Sequence, residues 1–306
     1  MIRLIALRIL EMIPILWIIV TLVFFTIRLA PGGPFDAERN VSPEVLESLN
    51  AYYHLDAPLY RQYLDYMRDL VHGDLGPSFK NASWSVNELI ALGSPVSFEL
   101  GIYALAVALL IGLTAGIIAS MKPNTAQDHI PMSLAMLGIC VPTFVLGPLL
   151  ALVFSLWLGW LPVAGWEGPQ HKILPSMTLG AAYAAYIARL TRGGMLEILA
   201  QDFIRTARAK GLSRARVVLR HALRGGLQPV VSFLGPAVAG LLTGSFVVET
   251  IFQIPGLGRF FVQAAFNRDY TMIMGMVLFY AVLILCFNLA VDVIQAWLDP
   301  RLRRQG

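Results

Sequence analysis

Charge is scarce in this chain. Only 14% of its residues are Asp, Glu, Lys or Arg, against about 25% in a soluble globular protein. Four lysines occur, Lys80, Lys122, Lys172 and Lys210, and none follows a glycine. The phosphate-cradling Gly-x-x-x-x-Gly-Lys-[Ser/Thr] loop is therefore missing, and the chain is not itself a P-loop ATPase. It also lacks His-Glu-x-x-His and Gly-x-Ser-x-Gly, which argues against a zinc protease and a serine hydrolase. Its five histidines, His54, His72, His129, His171 and His221, have no metal-ligand spacing. Cys140 and Cys286 lie in apolar runs, so the expectation is buried thiols acting as small hydrophobes rather than a disulfide. No internal repeat and no filter-like segment stands out.

What fills the chain is apolar. Hydrophobic residues make up 57% of it and the mean hydropathy is +0.67. Runs long enough to cross a hydrocarbon core of about 30 Å recur. The reading is an all-α polytopic membrane protein with six spans: 9–29, 97–120, 132–158, 173–191, 228–250 and 273–297. Pro142 and Pro148 predict a tilt or kink in the third. Gly112, Gly116, Gly138, Gly147, Gly235, Gly240 and Gly244 lie within spans, where small residues let helices approach closely. The chain divides into an N-terminal tip and first span (1–30), an external helical segment (31–95), a five-helix core (96–298) carrying a cytoplasmic segment (192–226), and a tail (299–306).

The first apolar run is about twice the length of a signal-peptide core, and "RLAPGGP" follows it, so an uncleaved anchor is expected. Arg3 and Arg8 place the N-terminus inside, and Arg301, Arg303 and Arg304 place the C-terminus there too. Segment 31–95 falls outside, with the acids Asp36, Glu38, Glu44, Glu47, Asp56, Asp65, Asp69, Asp74 and Glu88 against only Arg39, Arg61, Arg68 and Lys80 as cations. In it, Ser42 and Pro43 open one predicted helix, and Asp56 and Pro58 a second whose Leu59, Tyr63, Tyr66 and Leu70 form a stripe. This segment reads as a cap on the bundle, compatible with a docking surface for an external protein.

The stretch from Arg205 to Gly226 gathers Arg205, Arg208, Lys210, Arg214, Arg216, Arg220 and Arg224 without one acid. A positive-inside anchor explains the charge, but not the pattern. Asp202 is placed to cap a short helix from Phe203, Gly211 to end it, and Ser213 to cap the next. Arg216, Arg220 and Arg224 then share one face, and Arg214 reads as a solvated or headgroup-facing cation. A helix–glycine–helix unit with small residues suits docking in a partner's cleft. A second informative stretch is "FQIPGLGRFF". Pro255, Gly256 and Gly258 forbid a continuous helix there, and Phe252, Leu257, Phe260 and Phe261 are too apolar for a free loop. It reads as tucking back on the bundle, as a packing element or part of an outer gate.

"FIRTARAKGL" followed by "RHALRGGLQPVV" resembles the cytoplasmic coupling segment of ATP-binding-cassette importer permeases, with Arg205, Thr206, Ala207 and Gly211 at the places of its Glu-Ala-Ala, three-residue, Gly motif. The Arg and Thr at the first two places look like the peptide and nickel branch. "RLAPGGPF", "HGDLGPSFK", "ARLTRGGMLE", "ETIFQIPGLGRFF" and "NRDY" occur in matching order, similar to B-type permeases of oligopeptide importers. The resemblance covers essentially the whole chain and implies a type I importer fold in the bacterial inner membrane. It implies a homologous second permease, two ATPase subunits carrying ATP and Mg, and an external peptide-binding protein; this chain would bind no cofactor and no nucleic acid. Coupling would fall to Arg205, Thr206, Ala207, Arg208, Lys210 and Gly211. The outer gate or loop candidates are Glu249, Phe252, Pro255, Gly256, Gly258 and Asp269. Nickel or another small solute leaves a similar pattern. The rival class is an ion-coupled secondary transporter, which would use intramembrane acids; Glu11, Glu99 and Glu249 lie near span ends, where charge is cheap, and Asp292 lies deeper.

Overall fold

The structure, a computed structural model, describes residues 2–30, 33–35, 43–53, 55–81, 83–243 and 245–298. Asp36, Glu38, Arg39, Ser42, His54, Gly244, Arg301, Arg303, Arg304 and the tail 299–306 lie outside the described residues. The described residues are helical, with a single isolated bridge between Pro77 and Ser85. They form two compact units. One runs to Val96 and includes Gly256–Leu285; the other comprises Ser97–Pro255 and the chain from Cys286.

In the first unit, α1 (Ile2–Leu29) is one of four helices long and apolar enough to cross a membrane. Helices α2 (Pro43–Tyr52) and α3 (Leu59–Val71) of segment 31–95 follow. Pro43 opens α2 as expected. The start of α3 differs: Pro58 is its cap residue, with no side-chain capping bond, and Asp56 lies outside it. Proline's fixed φ is enough to start the helix there. Of the α3 stripe, Tyr63 and Tyr66 meet α1, while Leu59 is exposed. Tyr63 stacks on Phe25 and meets Phe24 edge-on, and its hydroxyl lies 2.8 Å from Thr21 Oγ1. Burial pushes the Tyr66 phenol up to about 12. Arg28 Nη1 donates to Gln62 Oε1 at 2.7 Å, and Gln62 Nε2 donates to the Leu55 and Ala57 carbonyls. Helix α3 is thereby anchored on α1. The helices α13 (Leu257–Asn267) and the opening part of α14 (Tyr270–Leu298) complete the unit around Val86, Leu257, Met272 and Met276.

The second unit is built on α7 (Ile173–Leu199), which runs eight residues past the expected end at 191, through Arg192. Its Ala184, Ile187, Ala188 and Thr191 pack on α4 (Val86–Met121). A Cβ at Gly112 would lie 2.7 Å from the Ala184 carbonyl, and one at Gly116 2.6 Å from that of Ala188. This close approach requires glycine and brings backbone against backbone.

The third expected span is two helices, α5 (Ala126–Cys140) and α6 (Thr143–Ala151), the latter continuing as a π turn to Trp157 and bent 112° from α5. Pro142 has no N–H to continue α5. The bend leaves the Val141 carbonyl without a backbone partner among the described residues. By length and composition the spans among the described residues number four, or five with the bent pair. The helix α7 has the length for a sixth but carries Arg189 and Arg192. The remaining elements are α8 (Asp202–Ala209), α9 (Arg214–Arg216), α10 (Leu223–Gly226), α11 (Gln228–Leu242) and α12 (Phe246–Ile251). Cys140 and Cys286 are free but exposed on the chain's surface, not buried. Lipid tails are as apolar as a core, so an apolar run does not say which thiol faces inward.

Candidate coupling site and outer loop

The coupling candidates sit where the expected helix–glycine–helix unit forms. Gln201, not Asp202, holds the N-cap position of α8; Asp202 is the first helical residue. Its carboxylate faces the N-terminal turn, where negative charge is favourable, and lies 3.4 Å from Arg205 Nη1. Gly211 adopts φ +77°. Its N–H donates to the Arg208 carbonyl and that of Leu212 to the Ala207 carbonyl, which is the Schellman ending that needs a left-handed residue.

The helix α8 has two faces. Ile204 and Ala207 are buried with Met195, Val217, Val218 and Ala222. Phe203, Arg205, Thr206, Arg208, Ala209, Lys210 and Gly211 are exposed. Ala207 is thus small because it packs on its own chain, whereas Arg205, Thr206, Arg208, Lys210 and Gly211 are presented outward.

Ser213 holds the next N-cap position without a side-chain capping bond. A π turn over Val217–Ala222 interrupts the helix. Arg216, Arg220 and Arg224 stay exposed, but the wider turn breaks the i, i+4, i+8 register expected of them. Arg214 is not simply solvated: its Nη2 donates to the Met121 carbonyl at the end of α4, a favourable place for a cation.

Beneath this segment lies a pair that sequence patterning missed. Arg192 on α7 grips Asp128 on α5 with both Nε and Nη2, at 2.6 and 2.7 Å, and Asn124 N–H donates to the same carboxylate at 2.9 Å. The Asp128 side chain is 2% exposed. The fork-to-carboxylate geometry is the strong form of an ion pair. An acid just before the third predicted span and an arginine just past the fourth were the available signals.

The outer-loop candidates divide between the two units. In the second, Ser245 caps α12, accepting from Val248 N–H at 3.2 Å. Glu249 is fully buried and accepts from Ser97 Oγ at 2.9 Å. Phe252 is buried, and its carbonyl accepts from Gly165 N–H at 2.9 Å. Pro255 follows the buried Ile254, so the stretch tucks inward as expected. Glu99 likewise has partners, the Lys172 ammonium and Trp166 Nε1, while the exposed Glu11 pairs with Arg8.

In the first unit Gly256 caps α13, and Gly258 lies inside that helix, buried. Only Pro255 and Gly256 bound the break; Gly258 does not contribute to it. Asp269 is buried and caps α14, accepting from Met272 N–H at 3.2 Å and Thr271 Oγ1 at 3.1 Å. It also accepts from Ser78 Oγ at 2.5 Å and Phe79 N–H at 3.1 Å. One carboxylate thus ties the Ser78–Phe79 stretch to the start of the last span. Among the described residues no group of three or more His, Cys, Asp or Glu is placed to hold a metal.

With this geometry in place, the similarities are specific. Two family models match: "Binding-protein-dependent transport system inner membrane component" over residues 112–304 and its N-terminal counterpart over residues 1–86. The chain is 49% identical to the oligopeptide transport system permease protein OppB of Escherichia coli K12, over 99% of this chain and 100% of the relative. It is 48% identical to that of Haemophilus influenzae over the same shares. With the dipeptide transport system permease protein DppB of Bacillus subtilis it shares 46% over 94% of this chain and 93% of the relative. In fold it is similar to an inward-facing MetNI methionine ABC transporter, with a TM-score of 0.55 at 20% identity over 67% of this chain and 94% of that one. A helical membrane chain with an outward-facing short helix at this place, matched over most of its length, belongs to the family of binding-protein-dependent transport system inner membrane components.

Proposed function

We infer that the chain is the permease subunit of an ATP-binding-cassette importer that brings peptides into the cytoplasm. The observation that carries this is near-complete alignment, at almost half identity, with permeases named for oligopeptide transport. ATPase subunits supply ATP and Mg, and a binding protein delivers the peptide; a homologous permease completes the pore. The exposed face of α8 enters a groove on one ATPase. Its buried face supports this reading, because Ile204 and Ala207 pack against Met195 at the end of α7. ATPase closure that displaces α8 would move α7 with it, and α5 through Arg192–Asp128. The outer residues Glu249, Phe252, Pro255, Gly256, Gly258 and Asp269 serve the external end of the path.

The isolated chain, lacking a phosphate loop, should show no ATP hydrolysis in liposomes. Hydrolysis and peptide uptake should appear together when both ATPases, the second permease and the binding protein are added. Proton- or sodium-driven uptake by this chain alone would instead establish the secondary-transporter reading.

Orientation has its own test. With both ends inside, Ser48→Cys in α2 and Ser213→Cys after α8 should react with an impermeant maleimide from opposite sides. Reaction of both in intact cells would overturn that topology.

A further inference from the structure

A groove of about 610 Å³ lies between the end of α4, the end of α7 and the segment after α8. Its volume is within the usual range for a ligand site. The lining is amphipathic. Leu196, Leu199, Leu212 and Val217 form an apolar floor, and Arg208 and Arg214 stand at its polar part. Neither arginine has a carboxylate partner among the described residues. Arg214 spends one N–H on the Met121 carbonyl, and a guanidinium has five to offer. Lys210, Arg216, Arg220 and Arg224 add positive charge nearby in sequence, unrelieved by any acid from Arg205 to Gly226.

The groove's place matters as much as its chemistry. It opens where the spanning helix α4 stops, just past the predicted span 97–120 and next to Lys122. A soluble phosphate would satisfy the arginines but leave the leucine floor wet. An apolar helix of a partner would cover the floor but leave two cations unmatched. A ligand with an anionic head and an aliphatic body satisfies both.

We propose that this groove is a binding site for one anionic phospholipid, its phosphate held by Arg208 and Arg214 and an acyl chain laid along Leu196, Leu199 and Leu212. The lipid fills the space between the ends of α4 and α7 and the segment after α8, and steadies the coupling segment there. Cationic pockets between spanning helices recognise anionic headgroups in this way.

The test uses the complete transporter in nanodiscs of equal phosphatidylcholine and phosphatidylglycerol, with retained lipid counted by native mass spectrometry. Phosphatidylglycerol should be retained over phosphatidylcholine. Arg208→Gln with Arg214→Gln should weaken its retention by about 25-fold, at about fivefold per cation; Arg224→Gln, outside the groove, should not weaken it. Arg214→Lys should keep the lipid. Co-purification of the ATPases reports whether each variant assembles. If the double variant does not assemble, Leu196→Trp, which fills the floor and keeps the charge, should expel the lipid. Equal retention of the two lipids, or retention unchanged in both the double variant and Leu196→Trp, would overturn the proposal. So would a cysteine at Leu212 that cross-links to an ATPase subunit in place of a photoreactive phospholipid, since the groove would then hold protein.

Discussion

Ala207→Asp should leave the chain in the membrane and abolish peptide uptake. The Ala207 side chain is 8% exposed and lies among Ile204, Met195, Val217 and Val218. A carboxylate placed there has no cation within its own cluster, and burying an unpaired charge costs several kcal/mol. A helix of eight residues is too short to hold itself together without tertiary packing, so α8 should lift from α7 and lose its presented face. Insertion should survive, because α8 lies outside the spans and the surrounding cations still hold the orientation. The measurements are membrane abundance, ATPase co-purification and uptake of a labelled peptide. Gly211 ranks lower. Its φ of +77° would strain a side chain, but no atom stands within 4 Å of where a Cβ would be. A left-handed residue with a Cβ costs about 1–2 kcal/mol, and Asp tolerates that region better than most. Gly211→Val should therefore impair uptake more than Gly211→Asp, and both less than Ala207→Asp. Near-normal uptake in Ala207→Asp would reduce the segment to a topological anchor.

Arg192→Leu should be among the most destabilising single changes in the second unit. It leaves Asp128, with its side chain 2% exposed, without its guanidinium between α5 and α7. Removing one member of a buried ion pair costs about 3–5 kcal/mol, whereas replacing both with apolar groups is often neutral. Asp128→Leu with Arg192→Leu should accordingly recover most of the loss, although Asn124 N–H then gives up its acceptor. Thermal unfolding of the purified complex, followed by loss of α5–α7 cross-linking, reads the effect. Equal stability of the Arg192→Leu single variant and the parent would show that the pair contributes nothing net.

Much of this architecture was legible because the bilayer imposes it. Long apolar runs must be helices, since no water is there to take exposed peptide groups. The starts of α2, α7 and α11 and the end of α8 were readable for local reasons, namely Pro43, the onset of an apolar run and Gly211. What remained illegible is non-local or two-valued. Asp128 and Arg192 are 64 positions apart, and nothing in either neighbourhood names the other. Gly258 looked like a breaker because glycine marks turns and close packing alike; only its burial inside α13 distinguishes them. Arg192 suggested that α7 had left the apolar phase, when its partner let the helix continue to Leu199. Asp202 and Gln201 compete for the same capping place, and neither makes a side-chain cap.

The 112° elbow between α5 and α6 bears on biosynthesis. Each arm has 15 residues if the π turn is counted, about 22 Å at 1.5 Å per residue, so neither alone spans the hydrocarbon. The bend exposes Ile139 and Cys140, and the Val141 carbonyl beside them lacks a backbone partner among the described residues. Each such group facing lipid costs several kcal/mol. A newly made copy waiting alone in the bilayer is therefore a poor solute at this one point. Whatever next covers or wets the elbow removes that cost, so this subunit's lifetime in the membrane depends on how soon its assembly partners arrive.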